Sequence, residues 1–177
     1  MRKILGPQFF ARPAPTVARE LIGKFLVRRD RRGEYASMIT ETEAYEGTDD
    51  LASHASKGRT ARTEVMFGKP GRWYVYLIYG MYSMLNIVSG AEGHPSAVLI
   101  RGTEHVSGPG RLTRALAVTR AENMLPATKE TGLWIEDRGV RIPAQNVLET
   151  PRIGVHYAGP IWSKKPWRYV YTEKNDR

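Results

Sequence analysis

Tyr74–Val88 reads YVYLIYGMYSMLNIV, and what this stretch becomes decides the fold around it. Tyr74 and Tyr76 alternate with Trp73, Val75 and Leu77 up to Tyr79-Gly80, and SMLNIVS resumes beyond that pair. A period of two, interrupted by a residue pair ending in glycine, predicts a β-hairpin with its tip at Tyr79-Gly80. One face then carries Tyr74 and Tyr76, and the other carries Trp73, Val75 and Leu77. A tyrosine at the tip is poorly placed for any core.

Working outward, AEGHP is a turn and SAVLIRG a further strand. Upstream, KFLVRR and EYASMITETEAY flank a turn at Arg31-Arg32-Gly33 and read as another strand pair. Helical signals are short: Val17, Leu21 and Ile22 form a stripe ended by Gly23, and Ser107-Gly108-Pro109-Gly110 opens RLTRALAVT. Between Asp49 and Gly71 periodicity fades, and SHASKGRTARTE reads as a basic loop. GLWIED, RIGVHYAG and KPWRYVY read as short strands or turns that close the sheet. No segment repeats and no linker divides the chain. The expectation is a single α+β domain over residues 1–177, built on a mixed, largely antiparallel curved β-sheet with a few short helices and a protruding β-hairpin.

The 177 residues include 27 Lys and Arg against 18 Asp and Glu, a net charge of +9. That field attracts polyanions, with nucleic acid the leading partner and acidic membrane surfaces or anionic metabolites as alternatives. There is no cysteine, which removes disulfides, thiolate catalysis and cysteine-based metal sites. No apolar run has the length of a signal-peptide core or a membrane span, so an internal compartment is expected: cytoplasmic in a prokaryote, nuclear in a eukaryote.

Glu41 and Glu43 of ETEAYEG lie two apart on a predicted strand, roughly 7 Å from each other on one face with Ile39 and Tyr45. Apolar neighbours and a second carboxylate raise a carboxyl pKa, which is one route to a general base. Surface glutamates answering the arginines are the plainer alternative. Two glutamates pointing the same way cannot flank a scissile bond, so at most one does chemistry. A magnesium nuclease using Glu41, Glu43, Asp49 and Asp50 is a further alternative without a recognisable ligand spacing.

Tyr74 and Tyr82 read as residues packing a sheet, whereas Tyr76 suits stacking on a base and Tyr79 suits a wedge. Asn86 interrupts the apolar face of Met84 and Val88, and Arg101 that of Ala97 and Leu99. A buried amide or guanidinium needs partners, so each is a structural link or a site group. His54 of ASHAS is either a solvated loop residue or a ring that stacks or hydrogen-bonds; no histidine pair has metal-ligand spacing.

ETEAYEG, ASHAS, MFGKPGRWYVYLIYGMYSMLNIV, AVLIRG, SGPGRLTRAL, RIGVHYAG and KPWRYV, in that order, resemble the alkyladenine (3-methyladenine, methylpurine) DNA glycosylase family from about Val17 to Val170. The resemblance implies a monofunctional enzyme that removes damaged purines from double-stranded DNA with water as nucleophile. It implies no metal, no cofactor, no membrane and no obligate protein partner, in a monomer. It implies Glu43 as general base, with Arg101 and the Asn86 region near the attacking water. Tyr45, His54 and Tyr76 become the walls around an extruded base, and the Tyr79-Gly80-Met81 tip fills the vacancy in the duplex. A noncatalytic nucleic-acid-binding protein on the same fold is the contrasting expectation. Relatives read close to TPRNRVMFG where this chain has TARTEVMFG, so Ala61, Thr63 and Glu64 bear on DNA affinity and substrate breadth.

Overall fold

A computed structural model describes residues 2–173. In chain order the elements are β1 Lys3–Ile4, α1 Pro7–Phe10, α2 Ala14–Leu21, β2 Phe25–Asp30, β3 Gly33–Glu46, β4 Trp73–Ile78, β5 Tyr82–Val88, β6 Ser96–Thr103, β7 Val106–Ser107, α3 Pro109–Ala115, β8 Leu133–Asp137, β9 Val147–Thr150, α4 Gly159–Trp162 and β10 Arg168–Tyr171. The sheet runs β1-β8-β2-β3-β6-β5-β4, with β10 joining β3 to β9 and β7 hanging on β6. It is an open, curved α+β sheet with few short helices, as expected. Every strand pair among the described residues is antiparallel, so the parallel component implied by "mixed" is absent there.

The fourteen-residue β3 is the spine. Its first half pairs with β2 about the Arg31-Arg32 turn, and its second half runs between β6 and β10. Helix α2 starts with Pro15 in its first turn and buries Ala14, Val17, Ala18 and Leu21. It ends before Gly23, whose φ of 88° admits the left-handed turn into β2. Trp73, Val75, Leu85 and Ile87 join that helix face in the main core with Leu26, Ile100 and Leu112. Thr42 ties β3 to α2 through a 2.8 Å hydrogen bond to the Ala18 carbonyl.

The hairpin alternation therefore separates two functions of the sheet. Trp73 and Val75 face the helices, while Tyr74 and Tyr76 pack on the opposite side with Ala55, Val65, Met66, Val88 and Ala97. The aperiodic stretch Asp49 to Gly71, with its basic loop SHASKGRTARTE, carries two 3₁₀ turns at His54–Lys57 and Glu64–Phe67 that cover this second face. Of the strand and turn readings of RIGVHYAG the turn holds: it bends through a 3₁₀ turn, His156–Ala158, into α4. One strand-level expectation changes. A β-bulge around Thr40–Glu41 shifts the pairing of β3 with β6, so Ile39 lies in the main core with Ala44 and does not share the face of Glu43 and Tyr45.

Candidate active site

Residues paired directly across a sheet share a face, and the registers place Tyr74, Asn86, Leu99, Glu43 and Arg168 in one row across β4, β5, β6, β3 and β10. Glu43 sits on a strand hydrogen-bonded on both edges, and its side chain is completely buried. A buried carboxylate needs donors, and it has them. Oε2 accepts from the Tyr45 hydroxyl at 2.9 Å, and Oε1 accepts from the Ile153 backbone N–H at 2.7 Å. Arg101 Nη1 approaches Oε2 at 3.5 Å.

Glu41 has a different part. Its Oε1 accepts from Arg101 Nε at 2.8 Å and from Arg168 Nε at 2.7 Å, so two guanidinium groups occupy it. Burial alone would lower the Arg101 pKa, but the Glu43 and Glu41 carboxylates outweigh it and the net shift is upward. The unbroken register of β3 with β10 keeps Glu41 and Glu43 on one side of the strand, where Arg101 lies within reach of both.

The Ile153 N–H is delivered by its neighbour. Arg152 is fully buried and forms a forked pair with Asp50, at 2.6 Å and 2.8 Å, while also donating to the carbonyls of Ala44 and Trp162. Its guanidinium lies 4.8 Å from the Tyr45 ring centroid and 5.2 Å from that of Trp167. Asp50 also accepts from the backbone N–H groups of Glu46 and Ala52. With Asp50 bound to Arg152 and Glu41 bound to two arginines, the four acids Glu41, Glu43, Asp49 and Asp50 are not assembled for a magnesium ion.

Above Glu43 stands a wall of rings. The His54 ring meets Tyr76 edge-on with centroids 4.6 Å apart, and its Nδ1 lies 2.9 Å from the Tyr74 hydroxyl. Ser53 caps the short turn that presents His54. Burial, then the charges of Arg62 and Lys57, push the His54 pKa down to about 4, so the imidazole is neutral at pH 7. Burial likewise moves the phenols of Tyr45 and Tyr76 well upward, and they keep their protons.

These groups line a cleft of about 970 Å³. Glu43 and Arg101 form its floor, Tyr45, His54 and Tyr76 one wall, and Tyr79 its rim. That volume is at the upper end for small-molecule sites. At the hairpin tip Tyr79 and Gly80 have φ of 52° and 66°, the signature of a type I′ turn, and Tyr79 is 83% exposed. Met81 beside it is also exposed.

Asn86 is set apart from the cluster. Leu99 stands between it and Glu43 in the transverse row, a separation of about 10 Å at usual strand spacing. Its Nδ2 donates to the Tyr74 and Met84 carbonyls at 3.0 Å and 3.3 Å, and it lines a small recess beneath the aromatic wall. The structure thus brings together Glu43, Arg101, Tyr45, His54, Tyr76 and Tyr79 around one cleft and puts Asn86 under its wall.

The Methylpurine-DNA glycosylase family profile matches residues 8–108 and 102–175. The chain belongs to that family. A protein of Anaeromyxobacter dehalogenans (strain 2CP-C) is 49% identical over 173 residues, covering 94% of this chain and 82% of the relative. One from Methanocella arvoryzae is 45% identical, covering 94% and 91%, and one from Rickettsia felis is 41% identical, covering 96% and 94%. Each is provisionally named a 3-methyladenine DNA glycosylase.

Membership in the methylpurine-DNA glycosylase family supports a DNA glycosylase with DNA as its substrate. Three residues in or behind this cleft escape reading from sequence, Arg152, Ile153 and Tyr157, while Asp50 is read there only as a possible metal ligand and Arg62 only as part of a basic loop. Ile153 contributes a backbone group, which no side-chain pattern discloses. Arg152 had one usable signal, a lone arginine opening the apolar run RIGV.

Two outcomes are expected. Arg152→Met strands the Asp50 carboxylate in the interior and lowers unfolding free energy by about 3–5 kcal/mol, whereas adding Asp50→Asn gives back part of that loss; strictly additive losses in urea titrations would show that the pair is uncoupled. For His54, the unfolded imidazole takes up a proton near its ordinary 6.5 while the folded one resists until about 4. Its effect on stability is therefore absent above pH 6.5, and destabilisation accumulates as pH falls to about 4. Urea midpoints at pH 7 and 4.5 check this: His54→Gln should show the smaller drop, and equal drops would refute it.

Proposed function

We propose that the protein extrudes a damaged purine nucleotide from duplex DNA into the cleft and hydrolyses its N-glycosidic bond. Glu43 takes a proton from water, the water oxygen bonds to C1′ of the deoxyribose, and the bond from C1′ to the purine nitrogen breaks with its electron pair passing to the base, so that a purine made cationic by alkylation leaves neutral and Glu43 returns its proton to solvent. The products are the free base and an abasic site. One observation carries this reading: a wholly buried carboxylate, held by the Tyr45 hydroxyl and the Ile153 N–H, on the floor of a ring-walled cleft.

The transition state gathers positive charge on the sugar, and a fixed carboxylate beside it is the electrostatic complement. Tyr45 and Ile153 leave lone pairs on both carboxylate oxygens for a water. No lysine lines the cleft among the described residues, which supports water over a Schiff-base amine as nucleophile. The Tyr76 and His54 rings offer flat surfaces to a flipped base, and neutral His54 does so without a charge. The Tyr79-Gly80-Met81 tip suits the gap left in the stack, because a large ring stands exposed at the end of a tight turn. The relatives' names point to 3-methyladenine as the first lesion to try.

Single-turnover release of 3-methyladenine from alkylated duplex DNA tests the chemistry. Glu43→Gln should slow release by at least about 10²–10⁴-fold while still binding lesion DNA. Release at the wild-type rate would remove Glu43 from the reaction. For the hairpin tip, Tyr79→Ser should weaken binding to a lesion duplex by about tenfold or more while leaving the salt-dependent affinity for undamaged duplex nearly unchanged. Equal losses on both duplexes would refute the wedge.

A further inference from the structure

Arg62 belongs to the loop over the second sheet face, and its guanidinium carbon lies 5.0 Å from the centroid of the Tyr76 ring. It lines the same cleft as Glu43 and Arg101. These two cleft arginines differ in their partners. Arg101 is held by Glu41 and lies near Glu43, whereas Arg62 takes part in no ion pair among the described residues. The nearby Arg59, which could have shared a carboxylate with it, is paired to Glu64 by a two-point contact at 2.8 Å and 2.9 Å.

The ring that would stack on an extruded base therefore already carries a cation. A π-face attracts positive charge, and that attraction is shared between Arg62 and whatever else approaches the ring. A purine made cationic by alkylation meets Arg62 as a like charge within a space from which it displaces water. A neutral purine with a 6-oxo group meets it as a hydrogen-bond donor. Resting on the glycosylase reading above, we propose that Arg62 is a specificity-determining residue that disfavours cationic purine lesions and favours neutral ones bearing an acceptor at the base edge. The same field is felt by His54 at the wall, whose resistance to protonation includes a contribution from Arg62.

A phosphate anchor is the other use for an exposed arginine in a DNA-binding cleft, and it predicts a different result. Phosphate contacts are blind to the charge of the base. Single-turnover rates and binding would be measured on matched duplexes carrying one 7-methylguanine, which is cationic, or one hypoxanthine, which is neutral and 6-oxo. For wild type, Arg62→Gln and Arg62→Lys, the expected result is that Arg62→Gln moves the 7-methylguanine to hypoxanthine rate ratio upward by about tenfold, while Arg62→Lys stays near wild type. Equal loss on both lesions would overturn the proposal in favour of a phosphate anchor, and an unchanged ratio without loss would overturn it outright.

A second readout needs no DNA. The His54 imidazole, followed by nitrogen NMR through a pH titration, should titrate near 4 in the wild type and higher in Arg62→Gln. An unmoved His54 titration overturns the charge argument alone. Release of 3-methyladenine but of neither test base by the wild-type protein overturns this inference alone, whereas release of no damaged purine at all overturns the glycosylase reading with it.

Discussion

Asp50 and Arg152 are both wholly buried, and the position of everything on the site face of the sheet depends on their pairing. Removing two such charges from water costs several kcal/mol each, and only close, multiply hydrogen-bonded geometry offsets it. Here the guanidinium forks onto the carboxylate, reaches two backbone carbonyls and lies against two aromatic rings. The pair fastens the 151–155 bend, from the far end of the chain, to the loop that follows β3. Without that fastening the Ile153 N–H has no reason to meet Glu43, and the Tyr45 ring loses the cation behind it. A buried ion pair is often a poor investment in stability alone. In this fold it holds a carboxylate's donor in place.

The second constraint is the two-sided use of one sheet. Trp73, Val75, Leu85 and Ile87 fill the core against the helices, and the intervening Tyr74, Tyr76 and Asn86 face the opposite way. Period-two alternation thus anchors the wall and builds it in the same fifteen residues. Because β3 runs between β6 and β10, Glu43 stands on backbone bonded along both edges, and so does its neighbour Leu99. A site seated on such strands has little freedom to relax when water is excluded, which is what a preorganised electrostatic environment requires.

Much of this was legible in the chain. The hairpin, the β2–β3 pair, the two principal helices and the antiparallel sheet followed from alternation and from glycine and proline positions, and all are present. The short β1, β7 and β9 were not legible, because two to four residues carry little period and, unlike β10 with its two tyrosines and a valine, these segments hold no aromatic residue to mark a strand. Nor was the bulge near Glu41: alternation assumes an unbroken register, and one extra residue moved Ile39 to the other face. Of the candidate site residues, those in patterned segments were visible as polar or aromatic interruptions. Those supplied by 151–157 were hidden, since their contribution is a backbone group and a charge buried by tertiary contact.

The net charge of +9 becomes informative once its partners are known. Arg12, Arg29, Arg32 and Arg59 each face a carboxylate at 3.0 Å or less, away from the cleft floor. Arg62, Arg111 and Arg114, which line the cleft, take part in no ion pair among the described residues. Pairing elsewhere cancels part of the basic surface locally, while these three arginines stay uncancelled beside one concavity, where low-dielectric walls focus their field. The same logic treats Glu64: it spends its charge on Arg59 at an exposed position, outside the lining of the cleft. Its consequence falls on the number of cations offered to phosphate, while the field at the floor is left to Glu43, Glu41 and Arg101.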